Sequence, residues 1–182
     1  MVERFEIGRG LEVPIDGEPL QEGDGSAAAP ELKEVGQVAL VAEDYIGMRP
    51  TLLVSEGDHI ELGQPVFSDK KTEGVVFTAP AAGKVVSINR GEKRVFQSLI
   101  IDKEGEQTSR DFGSVDPGGL TTLGQEAVTQ KLVDSGLWTA LRMRPFSKVP
   151  SPAADLPEAI FVTATDTNPL AVRPEVVIAE NS

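Results

Sequence analysis

Between Leu53 and Asp102 the chain is punctuated by turn residues at near-regular intervals: Gly57-Asp58, Gly63-Gln64-Pro65, Glu73-Gly74, Pro80 with Gly83, and Arg90-Gly91-Glu92. Short apolar or alternating runs lie between them, at 52–54, 66–67, 75–78, 85–88 and 95–101. Short strands with a turn every several residues predict a small all-β sandwich or barrel. Glycine serves such turns because it adopts positive φ without steric cost. A faint internal repeat points the same way. Gly57-Asp58-x-Ile60 returns as Gly91-Glu92-x-x-Val95, as in a flattened barrel with approximate two-fold symmetry. Upstream, the β-type run at 36–42 leads into the barrel, and Phe5-x-Ile7 and Leu11-x-Val13 read as short strands. The stretch 19–30, acidic and then rich in Gly, Ser and Ala, reads as a surface loop.

After Asp102 the texture changes. Residues 103–120 are polar and turn-rich, and serve as a linker between a β domain over 1–102 and the beginning of an α/β domain over 121–182. Thr122-x-x-Gln125 has capping-box spacing, which predicts a helix from about Leu123. Ala127, Val128, Leu132 and Val133 form its apolar stripe. Ser135-Gly136 interrupts it, and Leu137, Trp138 and Leu141 predict a second short helical turn, ended by Pro145. Pro150 and Pro152 keep the next stretch extended. The continuously apolar run Ala159–Ala164 predicts a strand buried on both faces of an α/β sheet. One such strand cannot cover its own faces, so the sequence reads as the N-terminal piece of a longer protein. A βαβ unit alone takes roughly 30 residues.

Composition excludes several function classes. The 182 residues carry 17 Lys and Arg against 29 Asp and Glu, a net charge of −12. That argues against nucleic-acid binding, which needs a basic surface, and against a polybasic membrane anchor. There is no Cys, so the chain holds no disulfide and no thiolate-ligated iron–sulfur cluster. The one histidine, His59, rules out a His-rich zinc site and reads as an exposed turn residue. No apolar run approaches the about 18 residues of a membrane-spanning helix, so direct membrane insertion is not expected. The charged N-terminus has no signal-peptide core.

Chemistry-bearing residues are sparse. No carboxylate pair, nucleophile–base set or metal constellation stands out, so no catalytic or metal-binding residue is assigned. Arg142, Arg144 and Lys148 form a basic cluster in an acidic chain. They contact an acidic partner or ligand, or else they decorate a helix C-terminus and favour its dipole. Asp166 and Asn168 follow the apolar run, where open α/β sheets bind ligands, although Asp-x-Asn-Pro is also ordinary turn chemistry. Arg90, Lys93 and Arg94 make a second basic turn, read as solvated.

The pattern Glu56-Gly57-Asp58-x-Ile60-x-x-Gly63-Gln64-Pro65, followed by Ala79-Pro80-Ala81-Ala82-Gly83-x-Val85, resembles the barrel-sandwich hybrid of the biotinyl/lipoyl-like superfamily. Carrier members hold a modified Lys at the hairpin tip, flanked by Met or Asp. Here the tip carries Lys70 and Lys71, with no flanking Met, and Lys71 stands one residue further from Ala79-Pro80. Both lysines read as solvated charges.

Further signatures run along nearly the whole chain: Arg9-Gly10-Leu11, Pro14-Ile15-x-Gly17-x-Pro19, Glu43-Asp44-Tyr45-Ile46-Gly47-Met48-Arg49-Pro50, Ser135-Gly136-Leu137-Trp138, Arg144-Pro145-Phe146-Ser147-Lys148-Val149-Pro150 and Thr163-Ala164-x-Asp166-Thr167-Asn168-Pro169. In this order they closely resemble the A-subunit family of bacterial Na+-translocating NADH:quinone oxidoreductases. The resemblance implies a mostly β protein with some α: a barrel-sandwich hybrid, then the start of a Rossmann-like domain similar to the flavin subunit of respiratory complex I. In that more distant relative a Gly-rich loop cradles the flavin phosphate. The matching stretch here, 137–146, carries bulky side chains where the glycines would stand, and only Phe146-Ser147-Lys148 survives.

What the resemblance implies about function is equally definite. The chain would be a peripheral subunit on the cytoplasmic side of the bacterial inner membrane. Its complex would couple electron transfer from NADH to ubiquinone to Na+ export. NADH, ubiquinone, FAD, FMN, riboflavin and a 2Fe-2S cluster would be used by other subunits, with no cofactor bound by this chain and no activity in the chain alone. It would be a scaffold docked on the other subunits, especially the membrane subunit that handles quinone, and near the quinone site. The alternatives are a biotin or lipoate swinging-arm carrier using Lys70 or Lys71, and a cofactor-free adaptor.

Overall fold

The protein is described from a computed structural model, which describes residues 34–154 and 157–163. The chain divides into two compact units, one over Glu34–Leu156 and one combining Met1–Lys33 with Pro157–Ser182. The first contains every described strand and helix.

Seven strands form it: β1 (Gln37–Val41), β2 (Pro50–Leu52), β3 (His59–Ile60), β4 (Pro65–Asp69), β5 (Val76–Thr78), β6 (Gly83–Arg90) and β7 (Phe96–Lys103). They make two antiparallel sheets, ordered β1-β7-β6-β3 and β2-β4-β5. β1 and β4 to β7 overlap the predicted apolar runs, whereas β2 meets the run 52–54 only at Leu52 and the two-residue β3 falls in a stretch read as a turn.

The core lies between the sheets. Phe67 of β4 stacks on Phe77 of β5 at 4.7 Å and meets Phe96 of β7 at 5.2 Å. Val66, Val75, Val85, Leu99 and Ile101 complete a fully buried centre of aliphatic groups. All three rings are buried, and aromatic pairs add about 0.5–1.5 kcal/mol each beyond area burial.

Three ladder irregularities reconcile the sequence with the pleat. Pro65 pairs with Thr78 and Phe67 with Phe77, so Val66 is an extra residue and two neighbours bury together. On β6, Val85 pairs with Ile101 and Ser87 with Ile100, which leaves Val86 unpaired and half-exposed beside a fully buried Val85. On β7, Gln97 is the extra residue. A bulge inserts one residue into one strand and bends it. Strict alternation therefore misses these positions.

Gly83 is required by a close approach. A Cβ there would stand 1.8 Å from the Asp102 carbonyl oxygen on the paired strand, at φ +156°. No side chain fits.

Beyond the barrel, the 3-10 turn Pro117–Thr122 precedes helix α1 (Gln125–Asp134). The capping-box expectation fails at this point. The Thr122 hydroxyl donates to the Gly119 carbonyl at 2.7 Å inside its own 3-10 turn, and Gly124 occupies the N-cap without a side-chain bond. The helix consequently begins two residues later than the spacing suggests. Ser135-Gly136 ends it as expected. Gly136 adopts φ +77°, and a second turn follows at Leu137–Ala140. This turn stops five residues before Pro145.

In the second unit, residues 157–163 form no strand, and Ile160, Phe161 and Val162 are 74%, 88% and 87% exposed. The predicted buried strand over 159–164 is not formed over its described part. Strand structure requires ladder partners, and no described strand pairs with this run.

Candidate functional site

The basic cluster takes its shape from a single loop. After Leu137–Ala140 the chain turns at 141–149 into a tight hairpin. The Met143 amide donates to the Lys148 carbonyl and the Ser147 amide to the Met143 carbonyl, each at 2.8 Å. Arg142, Arg144 and Lys148 all project from this loop and are all exposed.

Arg142 is held most firmly. Its guanidinium lies 5.3 Å from the centre of the Tyr45 ring, close enough for a cation–π contact. It donates to the carbonyls of Thr139 and Leu141 and approaches the Asp44 carbonyl at 3.5 Å. Tyr45 in turn sets its edge on Phe77 in the core. Arg142 therefore satisfies the carbonyls at the end of a helical turn, one of the two roles foreseen for it. Its charge fastens the loop to the barrel.

Arg144 and Lys148 differ. Among the described residues the one approach of a carboxylate to a basic side chain is that of Glu104 to His59, at 3.9 Å, so neither cation has an acidic partner within 4.0 Å there. Lys148 lies 6.0 Å from the centre of the Phe146 ring. Phe146 is 69% exposed and Met143 47%. Sequence reasoning found the cations but missed these apolar companions. The available signal was the run Leu137–Val149, in which large apolar residues alternate with cations and no Asp or Glu occurs.

The backbone amides of this segment are committed locally. The amides of Thr139 and Leu141 bond to the carbonyls of Gly136 and Trp138, while those of Met143 and Ser147 close the hairpin. Trp138 packs half-buried against the barrel core and donates from Nε1 to the Pro150 carbonyl at 2.9 Å.

The other candidates are dispersed. Asp166 and Asn168 lie outside the described residues. Lys70 and Lys71 are exposed at the β4–β5 hairpin tip. Asp69 Oδ1 shapes that tip by accepting from the amides of Arg49 and Lys71 at 2.9 and 3.0 Å. His59 stands on β3 rather than in the turn, and it is exposed as expected. Arg90, Lys93 and Arg94 mark the exposed tip of the β6–β7 hairpin. A groove of ≈ 400 Å³ between α1 and the barrel is lined by Pro65, Val76, Arg110, Phe112, Val133 and Pro152. Among the described residues, no group of three or more His, Asp or Glu side chains is placed to hold a metal, and no helix is long and apolar enough to cross a membrane.

Two antiparallel sheets sharing one core, with a lysine-tipped hairpin and the APAAG turn behind it, define a barrel-sandwich hybrid module. Residues 5–104 match the NqrA N-terminal barrel-sandwich hybrid domain, and 123–182 match the NqrA second alpha/beta domain. The chain belongs to this family. It is 52% identical over 98% of its length to the A-subunit of the Na(+)-translocating NADH-quinone reductase of Marinomonas sp. (strain MWYL1). It is 50% identical over 97% to the protein of that name from Alcanivorax borkumensis, and 51% over 97% to that from Haemophilus influenzae. It spans 38% of the length of each.

Proposed function

We propose that the chain serves as part of the A-subunit of a Na+-translocating NADH:quinone reductase. It acts there as a scaffold docked on the other subunits. The observation that carries this reading is sequence identity of 50–52% across 97–98% of the chain to proteins of that name. In this reading the complex passes electrons from NADH to ubiquinone and exports Na+. The chain sits peripherally on the cytoplasmic side of the inner membrane, against the membrane subunit that handles quinone. The absence of Cys means that these 182 residues supply no thiolate ligand to a cluster.

The candidate contact residues are Arg142, Arg144 and Lys148, with Asp166 and Asn168 in the α/β portion. We propose the division into a β domain over 1–102, a linker over 103–120 and an α/β portion over 121–182. The family matches at 5–104 and 123–182 support it, with their gap overlapping most of the polar stretch.

Co-purification tests the assembly. Tagged chain, within the full-length subunit, is expressed with the remaining subunits and recovered from solubilised membranes. Stoichiometric recovery of the membrane subunits is expected, and recovery of nothing but the tagged protein would overturn the reading. Proximity to quinone is tested by photolabelling the assembled complex with an azido-quinone. Label within this chain supports it, and label confined to other subunits refutes it.

The carrier reading keeps one favourable observation, because both lysines stand exposed on a hairpin tip. Intact mass after expression with biotin and lipoate ligases distinguishes it.

A further inference from the structure

We propose that the 141–149 loop is a docking prong for an acidic, apolar-bearing segment of a partner protein. The segment's carboxylates face Arg144 and Lys148, and its apolar side chain covers Phe146. This rests on the assembly read above and names the chemistry of the surface that the loop engages.

Four observations carry it. The loop is the one stretch of the second half where cations and large apolar groups alternate without an acid, in a chain of net charge −12. Arg144 and Lys148 are exposed and have no carboxylate within 4.0 Å among the described residues. Phe146 and Met143 expose apolar surface on the same loop, and an exposed aromatic set among cations suits an interface anchor. Finally, the loop is braced before any partner arrives. Arg142 ties it to Tyr45 and to the Thr139 and Leu141 carbonyls, and the Met143–Lys148 backbone bond closes it. A braced loop loses less conformational freedom on binding.

Charge decides between two kinds of partner. An anionic lipid surface would attract three cations but repel the rest of the chain, whose net charge without them is −15 against −12 for the whole. A protein segment presents its carboxylates locally, against the cations alone.

The test uses the full-length protein in its assembled complex, with a benzoylphenylalanine photo-crosslinker replacing Phe146. Irradiation followed by mass spectrometry should give an adduct on an Asp- or Glu-bearing segment of a different subunit. Adding Arg144→Glu and Lys148→Glu should cut adduct yield about tenfold, as reversal of complementary interface charge does. Both residues are exposed, so circular dichroism of the doubly changed chain should match the parent. An adduct on lipid alone, an adduct on a segment without carboxylates, an adduct yield unmoved by charge reversal, or no adduct in a complex that co-purifies intact would each overturn the proposal and leave the assembly reading standing. Loss of co-purification by the unaltered protein would overturn both.

Discussion

Gly136→Ala should be far more damaging than a glycine-to-alanine change usually is. Gly136 sits at φ +77°, and its alanine Cβ would lie 2.3 Å from Thr78 Oγ1 and 2.9 Å from Thr78 Cγ2. The left-handed backbone alone costs an L-residue about 1–2 kcal/mol. Thr78 must also move. Its hydroxyl then loses the 3.2 Å bond to the Ser135 carbonyl, worth about 0.5–1.5 kcal/mol. The lower entropy of an unfolded alanine returns about 0.4–1 kcal/mol. With the strain of the crowded contact added, the net loss is about 2–4 kcal/mol. At a urea slope of about 2 kcal/mol/M, the midpoint falls by about 1–2 M. Trp138, the sole tryptophan, lies two residues away and reports this junction by fluorescence, while circular dichroism follows the sheets. Thr78→Ala in the same chain should relieve the crowding. The double variant should therefore be at least about 1 kcal/mol more stable than the two single losses predict by addition. A single-variant loss under about 0.5 kcal/mol, or strict additivity, would refute the contact between the helix end and β5.

Trp138→Ala should cost about 2–3 kcal/mol, below the about 3–5 kcal/mol of a fully buried aromatic, because the indole is half-buried. Trp138→Phe should cost about 1 kcal/mol for the lost bond to the Pro150 carbonyl. Both are read from urea unfolding by circular dichroism. Lys93 adopts φ 53° at an exposed tip, so Lys93→Gly should be neutral or stabilising by up to about 1 kcal/mol. A loss greater than that in the same assay would contradict left-handed strain at this position. Expression with biotin and lipoate ligases should leave the intact mass unchanged, and an adduct on Lys70 or Lys71 would move the chain to the carrier class.

The barrel was legible because two independent signals coincided. Apolar runs such as 75–78 and 95–101 were bounded by glycines that the turns require, and burial then had little choice of face. What sequence reasoning missed was set by pairing rather than by pattern. Val66 and Phe67 bury together only because the ladder bulges between them. Thr122 has the side chain of a cap but spends its hydroxyl on the preceding turn. The run Ile160–Val162 announces apolar surface, yet apolar composition alone does not supply neighbouring strands. At the candidate site the three cations stood out by their charge. Phe146 and Met143 did not, because an apolar side chain is read as core until the fold leaves it outside.

The extra residue on β6 also governs which length changes the barrel can absorb. Val85 and Ile88 both pack inward, although three positions separate them, because Val86 and Ser87 share one step of the ladder. Deleting either middle residue would restore an unbroken in-out count and leave Val85 and Ile88 on their present sides. Deleting one residue from β1, where Val38 and Leu40 point inward at regular two-residue steps, would put everything beyond the cut out of phase. β6 thus carries a built-in frame shift. Among related chains, single-residue gaps are expected to collect at 86–87 and to avoid 38–40.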